Sequence, residues 1–294
     1  MRSTALTSNI RIDRRRGTLI GILGMLVLSF DALLVRLALA DPADIIVWRG
    51  LLMAVSLSLV LRLRRCPWSW QLLRRDGLPA LMVALGFACT MVLFVLAVLN
   101  TRVANVVVIL TAAPLFAALL SGLFLREWVP VRTWLAILVC IAGIGVVFSG
   151  SVGLGGLPGD IFALMAAFML ASNLTLLRRY PHVDRLAVVA GGGMLAGLAA
   201  LPFASPATLE SQSILVLCVM GLVQMPLALA LIGESTRYLP SAEVSLLLLL
   251  ETVLGTLWVW VFLGEEPPPA TLVGGVLVML TLAVHTVLGM CRQD

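Results

Sequence analysis

Ten apolar stretches, each close to the length of a membrane-crossing helix, constrain this chain more than any other feature. They run over 17–39, 44–62, 77–99, 103–125, 131–149, 158–177, 186–203, 213–235, 240–263 and 270–290. A helix rises about 1.5 Å per residue and crosses the hydrocarbon core with roughly 20 apolar residues. Lipid offers backbone N–H and C=O groups no partner, so a span must be a helix or a strand of a closed barrel. None of the stretches alternates with period two, which excludes the barrel. Composition gives the same answer. The chain is 61% hydrophobic and 12% charged, whereas a soluble domain has about 45–50% and 25%. The expected fold is all-α and integral to the membrane.

The breaks between stretches carry turn chemistry, such as Asp41-Pro42, Tyr180-Pro181, Leu239-Pro240 and Pro267-Pro268-Pro269. They are short, so successive helices are expected to be antiparallel. The first stretch resembles a signal peptide, with Arg14-Arg15-Arg16 ahead of it. It is too long for one and holds Asp31 and Arg36, so an uncleaved first helix is expected.

Every basic residue is arginine; there is no lysine. That excludes a P-loop and lysine Schiff-base chemistry. With the N-terminus in the cytoplasm, 17 of the 20 arginines fall on cytoplasmic segments, leaving Arg36, Arg49 and Arg102 at or near the other face. This bias predicts both termini inside, in the bacterial inner (plasma) membrane, and accounts for the basic character without a nucleic-acid partner. The five cysteines form no CxxC, and His182 and His285 stand alone. Free thiols are expected, with no metal and no cofactor.

The chain repeats itself. Shifted by 138 residues, Ala104 falls on Ala242, Phe124-Leu125 on Phe262-Leu263, Glu127 on Glu265 and Pro130 on Pro268. Shifted by 142, Gly17 falls on Gly159, Asp31 on Asn173 and Arg36 on Arg178. The expected organisation is a cytoplasmic tail over 1–16, a first five-helix repeat over 17–150 and a second over 151–294. Five is odd, so the second repeat enters the membrane in the opposite sense. Inverted repeats let one design form two alternating faces, which points to a transporter.

The segments Leu250-Glu251-Thr252 to Phe262-Leu263-Gly264-Glu265 and Ala113-Pro114 to Phe124-Leu125-Arg126-Glu127 resemble the end of an EamA repeat of the drug/metabolite transporter superfamily. Trp48-Arg49-Gly50 resembles its second helix. Ala113 stands where the pattern has Glu, Arg126 where it has Gly, and Thr252 where it has Pro. The resemblance implies a secondary exporter of small metabolites that uses no ATP, nearest the branch that exports amino acids, aromatic ones included. The expected partners are a small-molecule substrate and the bilayer, with the protein acting as a monomer.

Charges inside a span each need a reason, at about 2.5–3.5 kcal/mol on insertion scales. Asp31 is deep in the first span, and Arg36 lies on another side of the same helix, free to reach the interface. Asp31 therefore needs a partner elsewhere. With its repeat mate Asn173 it is a candidate for binding substrate or a proton in a central cavity; a hydrogen bond between helices is the alternative. Glu251, after five leucines, is a second candidate. Pro114 and Pro226 each remove a helix hydrogen bond and predict kinks. Irregular backbone at that depth is tolerated where it is buried or lines a cavity, making Gln224, Thr111 and Asn105 cavity candidates. Phe30, Phe94 and Trp48 are candidates for an apolar wall. Other readings are a channel or facilitative pore, an intramembrane enzyme, and an exporter of cationic drugs or nucleosides. The enzyme lacks support: there is no HExxH or GxSxG, and Leu157 breaks any GxGD at Asp160.

Overall fold

The computed structural model describes residues 14–63, 69–124, 131–151, 155–205, 209–235, 238–239 and 241–290. The first-half motif residues Arg126 and Glu127 and the tail up to residue 13 lie outside them. All regular structure among the described residues is helical. The first half comprises α1 (Arg14–Ser29), α2 (Asp31–Leu37), α3 (Pro42–Leu63), α4 (Ser69–Asn100), α5 (Val103–Thr111), α6 (Ala113–Phe124) and α7 (Val131–Ser151). The second comprises α8 (Leu157–Arg179), α9 (Arg185–Ala200), α10 (Ser211–Cys218), α11 (Met225–Ser235), α12 (Ser241–Leu263) and α13 (Pro269–Met290).

The pairs α1–α2 and α5–α6 are each one interrupted span, and α10 joins α11 through a π-helical stretch, Val219–Gln224. Nine helices among the described residues are long and apolar enough to cross a bilayer, and α12 supplies a tenth apolar helix from Leu249 to Leu263. The third span is preceded by a helical segment, and the two meet at Gly77, whose φ of 64° is a conformation glycine adopts freely. Leu63, Leu138, Phe203, Val261 and Leu280 are among the many large apolar side chains left exposed, as expected of a surface solvated by lipid.

The packing obeys the inverted repeat. Helix α1 packs on α11 and α12; its counterpart α8 packs on α4 and on α5 and α6. Helices α3 and α9, α5 and α12, and α7 and α13 pack as pairs of counterparts. The contacts are those of two five-span units related by an axis in the membrane plane, each burying its core against the other.

Each interruption has a local cause. At the α5–α6 break, Ala112 N–H bonds Ile109 O at 3.2 Å, and Pro114 follows without an N–H to offer Leu110 O. At the π stretch, Met225 N–H reaches back five residues to Met220 O, just before Pro226. At the α1–α2 break, the Gln224 amide donates to Val27 O at 3.1 Å and Leu28 O at 3.4 Å. The one interruption supplies the group that satisfies the other, as backbone without water requires.

Candidate functional site

The α1–α2 break sets Asp31 at the start of α2, and α3 runs back beside it carrying Arg49. The Arg49 guanidinium (Nη2) donates to Asp31 Oδ2 at 2.8 Å. Both residues are buried. The guanidinium carbon lies 5.2 Å from the centre of the Phe94 ring on α4, within cation–π range. The pair is incompletely satisfied: Asp31 Oδ1 and the Nε and Nη1 groups of Arg49 have no protein partner.

Asp31 and Phe94 open onto a cavity of about 130 Å³ between the two halves. Thr111 and Pro114 line it from the first half, and Glu251 and Thr252 from the second. Leu28, Leu110, Leu170 and Leu174 make its apolar wall. The Thr111 and Thr252 hydroxyls meet at 2.6 Å and join the halves at this level. No donor or cation among the described residues bonds the Glu251 carboxyl. The volume has room for several waters. It is a compact polar centre with hydrocarbon walls.

A second polar cluster closes the end of the molecule where α2, α4, α7 and α12 terminate. Buried Asp160 on α8 accepts from Thr101 Oγ1 at 2.7 Å and Asn105 Nδ2 at 3.0 Å. Asn105 Nδ2 also donates to Ser151 Oγ at 2.8 Å, and its carbonyl accepts from Thr271. Arg36 donates to Thr101 O at 2.7 Å and faces Glu265 at 3.5 Å. Glu265 also accepts from Val103 N–H at 2.8 Å. Asp160, Thr271 and Glu265 belong to the second half; Arg36, Thr101, Val103 and Asn105 belong to the first. The cluster therefore bolts the halves together at this face. A wider cavity of about 630 Å³, with Arg36, Arg102 and Glu265 on its walls, lies beside it.

The structure brings Asp31, Glu251, Thr111, Phe94 and Pro114 to one cavity and places the other candidates elsewhere. Asn173 is fully buried against α4, 3.3 Å from Thr90 Oγ1, in a space only Gly86 leaves open. Its repeat mate Asp31 thus faces the cavity while Asn173 joins two helices. Gln224 caps the α1 backbone. Asn105 sits in the end cluster. Phe30 stacks on Trp258 with ring centres 4.8 Å apart. Trp48 is half-buried against the core, its Nε1 without a protein partner. Pro226 is buried just after the π stretch. Arg49 and Thr252 were not among the sequence candidates, although both stand in the motif segments. Arg36 turns to the end cluster as its position on α2 implied.

The sequence model of the EamA-like transporter family matches residues 15–149 and again 157–287. The pseudopaline exporter CntI of Pseudomonas aeruginosa is 24% identical over 276 residues, 90% of this chain and 94% of that protein. An uncharacterized transporter of Bacillus subtilis, YdfC, is 23% identical over 267 residues, 87% of this chain and 85% of that one. A crystal structure 20% identical in sequence superposes with a TM-score of 0.63 over 95% of this chain and 99% of that one.

Proposed function

Because the chain belongs to the EamA-like transporter family, we propose that this multi-pass membrane transporter exports small metabolites, amino acids including aromatic ones, by alternating access. The observation that carries the reading is the central cavity. It lies between the halves, is lined by two carboxyls and apolar walls, and is closed toward one face by bonds that cross from half to half. Two inverted units, taken as 17–150 and 151–294, can exchange conformations, and the same cavity then opens to the other side. The ammonium group of an amino acid suits Asp31 and Glu251, and its side chain suits the leucine wall and Phe94.

Both termini are assigned to the cytoplasm and the protein to the bacterial inner membrane, where it acts as a monomer. Arg62, Arg74, Arg75, Arg178, Arg179 and Arg185 share the face that this assignment puts inside. The end cluster then seals the external side, and the cavity awaits loading from within. A relative named as an exporter supports the direction.

The test is uptake of radiolabelled amino acids by liposomes holding the purified protein, with and without an imposed proton gradient. Saturable uptake of a neutral or aromatic amino acid, lost in Asp31→Ala or Glu251→Ala, is expected. If no amino acid is taken up, the substrate class is wrong and the search moves to other metabolites.

A further inference from the structure

The central site does not balance its charges. Two carboxyls, Asp31 and Glu251, line one cavity, and one guanidinium, Arg49, stands behind it. Arg49 is committed to Asp31 at 2.8 Å. Among the described residues, the ionisable groups on the elements packed against α12 do not supply the missing cation. They are Arg14, Arg15 and Arg16 at the far end of α1, Asp31 and Arg36 on α2, and His285 on α13. Among the described side chains of this set, only Asp31 lines the cavity, and Arg36 is turned to Thr101 and Glu265. The opposite wall, from α4 and α8, has its ionisable groups at the helix ends apart from Cys89, which is exposed.

With both carboxyls ionised the site carries one uncompensated negative charge at the level of the bilayer interior. A bare charge there is strongly disfavoured. One further positive charge restores neutrality, and either a proton on Glu251 or a cation against it provides that charge. Asp31 is the poorer proton site, because a proton there leaves Arg49 unpaired and Glu251 still ionised.

We propose that Glu251 exchanges one proton for one monovalent organic cation, while Asp31 stays ionised on Arg49 in both states. When the cation enters, the O–H bond of the Glu251 carboxyl breaks, its proton leaves to water, and the carboxylate faces the cation. No other bond changes. The charge of the solute then sets the proton count. A monocation releases one proton; a zwitterion such as phenylalanine, neutral overall, leaves Glu251 protonated and releases none. The apolar body of either lies against Phe94 and the leucine wall. This inference rests on the reading of the cavity as the solute site and adds the rule by which protons and solute share it.

The experiment uses the full-length protein in nanodiscs and phenyltrimethylammonium, whose charge is permanent, with phenylalanine as the zwitterion. Binding is followed by calorimetry, and proton release with a pH indicator in weakly buffered solution. One proton released per phenyltrimethylammonium bound, and none per phenylalanine, is expected. The cation's affinity rises with pH by up to about tenfold per unit until Glu251 is ionised without it. This dependence is read on the unaltered protein. In Glu251→Gln, checked for folding by its melting temperature, affinity for the cation falls more than tenfold and proton release disappears. Cation binding without proton release, or release that survives Glu251→Gln, overturns the inference and leaves the transporter reading standing. So does binding of phenylalanine with none of phenyltrimethylammonium. Binding of neither overturns the solute class itself, and the inference with it.

Discussion

Arg49 on α3 and Asp31 on α2 form an ion pair at 2.8 Å within the membrane-spanning bundle, both side chains almost wholly buried. Each is the reason the other is tolerated. Removing one partner of such a pair costs about 3–5 kcal/mol, because a lone buried charge remains; removing both together costs far less. The expected outcome is that Arg49→Leu and Asp31→Leu each lower the melting temperature sharply in detergent. The double variant recovers most of the loss. Additive losses in the double variant would mean the two residues are not energetically coupled.

The partner of Asp31 was within reach of the sequence. Asp31 lies six residues before the end of α2 at Leu37, and Arg49 seven after the start of α3 at Pro42. At about 1.5 Å per residue, both sit about 9–11 Å below the same end of adjacent antiparallel helices. Equal depth on neighbouring spans is a local signal, and the arginine count hid it by assigning Arg49 to the outer face. The ten spans and their inverted packing were legible because apolar runs of fixed length answer to bilayer thickness alone. The facing of Asn173, Gln224 and Phe30 was not, because it depends on the rotation of each helix against its neighbours. A space left by Gly86, a carbonyl freed in α1 and the ring of Trp258 decide those three.

Gly159 opens α8 against the end of α4. A Cβ there would meet the Asn100 carbonyl carbon and the Thr101 nitrogen at 2.5 Å each, and backbone cannot turn aside as a side chain does. Gly159→Ala is therefore expected to destabilise by about 1–3 kcal/mol or more, as overpacking does. Gly145→Ala is the control, since a Cβ there meets nothing within 4 Å. If both variants melt with the unaltered protein, the close approach of α8 to α4 is not as described.

Asp160 holds the cluster that the same approach makes possible. Its Oδ1 accepts from both Thr101 and Asn105 in a buried setting. Asp160→Ala takes the acceptor from the Thr101 hydroxyl and leaves the Asn105 amide with Ser151 Oγ, at about 1–3 kcal/mol for each hydrogen left unsatisfied. The expected effect is a loss of thermal stability larger than that of Thr101→Val, which takes away a donor of the same bond. An equal or smaller loss would show that Asp160 is not the centre of the cluster.

The pair of Arg36 and Glu265 is a weak member of the set of contacts that close this face. Its atoms are 3.5 Å apart, and the side chains are 28% and 22% exposed. Solvent screening limits such a pair to about 0.2–1 kcal/mol, which corresponds to at most about fivefold in an open-to-closed ratio. Glu265 also anchors the start of α5 through Val103 N–H, so Glu265→Ala loses both of these restraints between the halves, whereas Arg36→Gln loses only the ion pair between them, its bond to Thr101 O lying within the first half. Ala32 lines the central cavity and is buried, so a cysteine there reports opening. In a cysteine-free background, Ala32→Cys is treated with a membrane-impermeant maleimide applied to the face bearing Glu265. Labelling is expected to quicken severalfold with Glu265→Ala and less with Arg36→Gln, and to change little or slow when the reagent is applied to the opposite face. Equal acceleration from both faces would indicate general loosening of the bundle. Acceleration confined to the Glu265 face would identify this pair as part of the closure that must break before the cavity empties on that side.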